Sequence, residues 1–206
     1  MNKNTLMMLI AAFFSLFATA QSNKARTILD KTASVIRSAG DIKAVFSAQS
    51  SMGKMNGTIY IHKSMLHLQS GEVKCWYDGN TLWTYRKSTN EVNITTPTQA
   101  EKQSLNPYLF INLYKRGYNA TMKETNLRGK PCYEITLNAT SRSTKLTKMV
   151  VYIEKKTYYP LKVCMQRSKN NTNIDILQCH TKQKFNERTF KFKKNEYPGV
   201  EIIDLR

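Results

Sequence analysis

The stretch WYDGNTLWTY, residues 76–85, decides the fold. Asp78-Gly79-Asn80 is turn chemistry, because an Asp side chain bonds the backbone two residues on and Gly accepts positive φ at no steric cost. VKCWY precedes the turn and TLWTYRK follows it, and short aromatic-rich runs on either side of such a turn read as a β-hairpin. The hairpin holds both tryptophans of the chain. Alternation along its second strand places Trp83 with Tyr85 on one face. Alternation along its first strand groups Trp76 with Lys74 and Asp78, which leaves the face of Trp76 open.

Outward from the hairpin the period stays at two. Upstream, IKAVFSAQ puts Ile42, Ala44, Phe46 and Ala48 on one face. GTIYIHK sets Ile59 and Ile61 against Thr58, Tyr60 and His62, and SMLHLQS sets Leu66 and Leu68 against Met65 and His67. Downstream come EVNIT and then YNATMKE, PCYEITLNA, LTKMVVYIEK, LKVCMQRS and NIDILQCHTKQKF. The ending TFKFKKNEYPGVEIIDL predicts a strand to Phe192, a loop through Pro198-Gly199 and a last short strand. Short strands separated by turn signals imply an antiparallel meander.

Two segments break this pattern. NKARTILDKTASVIRSA, residues 23–39, carries Ile28, Leu29, Thr32, Val35 and Ile36 on one helical stripe and stops at Gly40. Between the two runs of strands, Thr98 with Glu101 three residues later predicts a helix start over QAEKQSL. Asn106-Pro107 opens a second helical stretch, PYLFINLYKRG, which ends at Gly117. The fold class is therefore α+β: an N-terminal helix, half a sheet, a central helical insert, and the other half of the sheet.

A long antiparallel sheet needs one apolar face covered. Few helices are available, so the sheet curls around them or closes into a barrel. Either arrangement leaves an interior lined by Phe46, Ile59, Ile61, Leu66, Leu68, Trp83, Tyr85, Ile135, Leu137, Met149 and Val151, with Phe110 and Leu113 contributed by the insert. A packed core and a half-filled ligand cavity both satisfy this composition.

The chain opens MNKNTLMMLIAAFFSLFATAQS, with a positive Lys3, an apolar run from Leu6 to Phe17 and an A-x-A site at Ala18-Thr19-Ala20. This is the pattern of a secretory signal peptide, with cleavage expected after Ala20 and a mature single domain over residues 21–206. The 32 Lys and Arg outnumber 14 Asp and Glu, for a formal net charge of +18. In an exported protein that balance disfavours nucleic acid and fits a membrane surface, lipid phosphates, an acidic partner, or simply a solvated basic exterior. Cys75, Cys132, Cys164 and Cys179 show no zinc spacing. A hairpin centred near Asn171 would bring Cys164 opposite Cys179 as a disulfide, and four small buried thiols is the other reading.

Nothing here points to an enzyme or to a cofactor. His62, His67 and His180 are the only histidines, and no H-E-x-x-H, G-x-S-x-G or P-loop pattern occurs.

Four segments in order, WYDGNTLWTY, NEVNITTPT, LNPYLFINLYKRGY and FKFKKNEYPGVEIIDL, resemble the periplasmic outer-membrane lipoprotein carrier family, LolA and its LolA-like relatives. In the last of these, Phe190, Phe192, Pro198, Gly199, Val200, Ile202, Ile203 and Asp204 match the family's ending. The resemblance implies an incomplete, unclosed antiparallel β-barrel, a strongly curved sheet whose apolar cavity is covered by the helices. It implies a monomeric carrier of acylated lipoproteins across the periplasm, from an inner-membrane release complex to an outer-membrane acceptor. A soluble periplasmic lipid or lipoprotein sensor of the same fold is the alternative.

Overall fold

Helix α1 spans residues 22–37 of the computed structural model, which describes residues 22–51, 53–99, 101–102, 114–115, 117–167 and 170–206. Its buried stripe is Ala25, Ile28, Leu29, Thr32, Ala33 and Ile36, close to the stripe expected from the sequence, with Val35 at its half-buried margin. Thr32 Oγ1 lies in this stripe with no hydrogen-bond partner among the described residues, and such a group costs about 1–3 kcal/mol.

Twelve strands follow among the described residues. They are β1 (Asp41–Ser50), β2 (Gly53–His62), β3 (Met65–Ser70), β4 (Val73–Tyr77), β5 (Leu82–Arg86), β6 (Glu91–Thr95), β7 (Tyr118–Leu127), β8 (Lys130–Ala139), β9 (Leu146–Glu154), β10 (Pro160–Arg167), β11 (Asn171–Gln183) and β12 (Glu201–Asp204). They form one open sheet in the hydrogen-bonded order β12-β6-β5-β4-β3-β2-β1-β11-β10-β9-β8-β7. The described pairings are antiparallel except for the last strand, β12, which runs parallel to β6. The long return through residues 184–200 makes the parallel pairing reachable, since a tight turn would impose the antiparallel one.

The chain divides into two compact units. The first comprises Met1–Val35 and Phe110–Asn171, so it holds most of α1 together with β7 to β10. Ala120, Met122, Ile135, Leu137, Met149, Val151 and Ile153 are buried here, several with no exposed surface at all. Their register explains this, because Met122 opposes Ile135, which opposes Val151, and Ala120 opposes Leu137, which opposes Met149. Directly opposed residues share a face, so the period-two pattern of three strands adds up to one apolar layer.

The second unit comprises Ile36–Leu109 and Thr172–Arg206, and it contains β1 to β6, β12 and nearly all of β11. The expected strand over residues 189–192 is absent. Asn186 instead accepts a hydrogen bond from Arg188 N–H and caps a short 3-10 helix at Glu187–Phe190, and a second one follows at Lys194–Glu196. Phe190 and Phe192 alternate as strand residues do, but the alternation serves packing: Phe190 is fully buried and Phe192 meets Trp76 edge to face. Asp41 ties down the start of this segment. One of its carboxylate oxygens meets His62 Nδ1 at 2.5 Å and the other accepts Phe185 N–H at 2.9 Å.

The expected central helical insert is not seen among the described residues beyond a few helical positions at its N-terminal cap. Gln99, Glu101 and Lys102 are helical, and Thr98 and Glu101 form the reciprocal cap: Thr98 N–H donates to Glu101 Oε2 at 2.8 Å and Glu101 N–H to Thr98 Oγ1 at 3.3 Å. The remainder of the expected insert, with Phe110 and Leu113, lies outside the described residues. Among the described residues no second long helix occurs.

Candidate functional site

The register of the second unit sorts its side chains into two unlike faces. Across β1 to β5, Ile42 opposes Ile61, then Leu66, Tyr77 and Leu82. The next row is Ala44, Ile59, Leu68, Cys75 and Thr84. Phe46 opposes Gly57 in a third row. A Cβ on Gly57 would stand 2.5 Å from Gln69 O and 2.9 Å from Phe46 Cζ, so only glycine lets the Phe46 ring lie across β2. These rows make one apolar face.

Burial on that face is uneven. Ile42, Phe46, Ile61, Leu66 and Tyr77 are buried, whereas Ile59, Leu68, Cys75 and Leu82 are half-buried. Large aliphatic groups at the centre of an apolar face normally rank among the most buried in a protein. Ile59 and Leu68 oppose each other directly and keep part of their surface open. That patch is the feature of the face that packing within the unit leaves incomplete.

The other face is aromatic. Trp76 opposes Trp83, so both tryptophans point the same way, and Tyr85 lies with them opposite Lys74. Trp83 and Tyr85 therefore sit on the face opposite Ile59 and Leu68, contrary to the expectation that all four line one wall. The cause is the length of the turn. Asp78 Oδ1 accepts both Asn80 N–H at 3.0 Å and Thr81 N–H at 2.8 Å, which makes the loop four residues, 78–81, and brings residues 76 and 83 into direct opposition.

The sequence-derived wall thus divides in three. Phe46, Ile59, Ile61, Leu66 and Leu68 come together on the apolar face. Trp83 and Tyr85 lie behind it. Ile135, Leu137, Met149 and Val151 share a face in the first unit, where they are closed off from solvent. Cys164 and Cys179 are not disulfide-bonded. Burial pushes the Cys75 and Cys132 thiols up, which keeps them protonated and poorly nucleophilic at neutral pH.

One cluster in the first unit had no sequence signal. Arg26 on α1 donates from Nη1 to Tyr114 O at 2.9 Å and from Nη2 to Tyr118 O at 3.4 Å. The Tyr114 hydroxyl donates to Asp30, one turn further along the helix. Tyr114 is almost wholly buried, so this arginine and aspartate fix the entry to β7 against α1.

Among the described residues the chain is an open, mainly antiparallel sheet with one N-terminal helix, and the apolar face of its second unit is partly uncovered. Residues 14–169 match the family model of the outer membrane lipoprotein carrier protein LolA. The chain belongs to this LolA-like family, whose members are periplasmic and bind lipoproteins. None of the curated proteins matches it in sequence. Among solved structures it is similar to an uncharacterized conserved protein from Thermus thermophilus, at 11% identity and TM-score 0.61, over 88% of this chain and 99% of that one. It is also similar to the Mycobacterium tuberculosis lipoprotein LppX, at 8% identity and TM-score 0.55, over 80% and 98%. The same holds for LprF from Mycobacterium bovis, at 9% identity and TM-score 0.50, over 81% and 96%. At these identities the likeness is one of fold.

Proposed function

We propose that the protein is a periplasmic chaperone that shelters the acyl chains of lipoproteins and carries them from the inner to the outer membrane, as one domain over residues 21–206. The observation that carries this reading is the half-buried Ile59–Leu68 pair on an otherwise apolar face, in a chain of the LolA-like family. Phe46, Ile61 and Leu66 flank the pair and complete the wall.

The energetics suit a carrier. Each buried CH₂ gains about 0.8 kcal/mol, so a chain of about sixteen carbons gains on the order of 10 kcal/mol if sheltered along its length. A carrier must also release its cargo, which calls for a cover that moves. Helix α1 is the helical element this chain offers for that role. Its Arg26 and Asp30 contacts hold it to Tyr114 and to Tyr118 at the start of β7 and would have to break for it to move. Ile135, Leu137, Met149 and Val151 form a second apolar layer, within the first unit, that an acyl chain would reach only if that layer opened. The loading and receiving partners would be an inner-membrane release complex and an outer-membrane acceptor.

Native mass spectrometry of the mature protein isolated from periplasm tests this reading. The expected result is a fraction carrying acylated lipoprotein, removed by detergent. A stable complex with a protein that bears no acyl chain, and no lipid-bearing species, would instead identify a sensor.

A further inference from the structure

The aromatic face of the second unit carries a separate feature. Tyr60, His67 and Trp76 are successive cross-strand neighbours on β2, β3 and β4. Their rings form a stack, with centroids 5.5 Å apart for Tyr60 and His67 and 5.0 Å apart for His67 and Trp76, each pair within 20° of parallel. The segment after β11 folds over them. Phe192 and Tyr197 meet Trp76 edge to face, at 5.4 Å and 5.7 Å. The cover is incomplete and leaves a cleft of about 340 Å³. That size lies near the lower end of ligand pockets, about 300–1,000 Å³.

The cleft is one-sided in charge. Lys74, Arg188, Lys191 and Lys193 line it, against the single carboxylate of Glu196. Lys193 already holds that carboxylate at 2.8 Å. Lys74 is half-buried, with its ammonium donating to the Tyr197 hydroxyl at 3.0 Å and lying 5.1 Å from the centre of that ring. A phenol does not return the desolvation cost of an ammonium as a counter-charge does. Arg188 and Lys191 project from the covering segment and are exposed.

Polar atoms on the floor are ordered as well. His67 Nδ1–H donates to Cys75 O at 3.0 Å, and Nε2 accepts from the Gln69 amide at 2.8 Å. Burial pushes the imidazole down and keeps it neutral, outweighing the Cys75 carbonyl, which acts the other way. With its amide nitrogen engaged, Gln69 keeps its amide oxygen as an acceptor for a hydroxyl.

We propose that this cleft binds a phosphate ester of a small polyol, with Lys74, Arg188 and Lys191 on the phosphate and Gln69 beside the His67 and Trp76 rings on the polyol. Two sources offer this chemistry: the headgroup of an anionic glycerophospholipid, and a free glycerol phosphate. The site lies behind the acyl-binding wall and does not rest on the carrier reading.

Calorimetric titration of the full mature chain with glycerol 3-phosphate, inorganic phosphate and glycerol tests the proposal, together with sedimentation on vesicles of phosphatidylglycerol or phosphatidylcholine. Saturable one-site binding of glycerol 3-phosphate is expected, weaker binding of inorganic phosphate, and none of glycerol. Lys74→Gln should weaken binding about tenfold or more, as should the exposed pair Arg188→Gln with Lys191→Gln, which leaves packing untouched. Binding to phosphatidylglycerol vesicles that falls in the same variants identifies the lipid headgroup as the source. Binding of the soluble ester with none to vesicles identifies the free one. Absence of saturable binding to every phosphate probe overturns the proposal, and so does wild-type affinity in both variants. Equal affinity for inorganic phosphate overturns the polyol assignment. Vesicle binding indifferent to the variants assigns the effect to the scattered basic surface and likewise overturns it.

Discussion

Leu68→Glu is expected to abolish acyl-chain binding in a protein that still folds. Leu68 stands at the centre of the apolar face, with Ile59 opposite on β2 and Cys75 opposite on β4. A carboxylate there faces any acyl chain laid along the wall, and it must either give up its hydration or keep water in the groove. Either outcome removes the gain from several CH₂ groups, so affinity should fall about 100-fold or more. The fold survives because Leu68 is only half-buried, which lets the carboxylate reach solvent in the empty protein. Ile59→Glu should behave the same way for the same reason. Displacement of a fluorescent fatty acid measures the loss, and far-ultraviolet circular dichroism confirms folding. Wild-type displacement by both folded variants would remove this face from the binding site.

Phe190→Ala should destabilise the protein by about 3–5 kcal/mol, a large fraction of the stability of an ordinary domain. Its ring is fully buried and lies 6.0 Å from the His62 ring and 6.2 Å from that of Phe185. Truncation leaves a cavity beside the Asp41 contacts that begin the covering segment. The segment also shields Trp76, so the loss of stability should come with a red shift of tryptophan emission. Urea denaturation gives the first quantity and fluorescence the second. Leu177→Ala, at a side chain 53% exposed, should change stability little and serves as the control. A Phe190→Ala midpoint indistinguishable from the control would mean that the segment is not packed on the sheet.

How much of this was legible in the sequence depended on the range of the interaction involved. The hairpin at residues 76–85 was readable because its turn is built from its own residues, with Asp78 accepting the N–H groups of Asn80 and Thr81. The face of Trp76 was not readable, because it depends on whether the loop holds three residues or four, and one residue flips every side chain. Alternation was a sound guide to Ile59, Ile61, Leu66 and Leu68 because each lies inside a regular strand. The same alternation misled at Phe190 and Phe192, where capping by Asn186 overrides it. The parallel pairing of β12 with β6 had no local signal, since it joins Glu201 to Glu91 across most of the second unit. Arg26 was invisible for the same reason: its acceptors are carbonyls 88 and 92 residues away. What the sequence could not divide was apolar wall from apolar core. Leu68 and Leu137 look alike in pattern, yet one is half-buried and the other shut from solvent.

The central claim is that acyl chains lie on the face formed by β1, β2 and β3. Photocrosslinking tests it most directly, with a palmitoyl probe bearing a diazirine on the chain, applied to the mature protein and mapped by tandem mass spectrometry. The expected result is labelling concentrated at Ile59 and Leu68, with Phe46, Ile61 and Leu66 around them. Labelling confined to Trp83 and Tyr85 on the opposite face, or no labelling above that of a probe lacking the acyl chain, would contradict it.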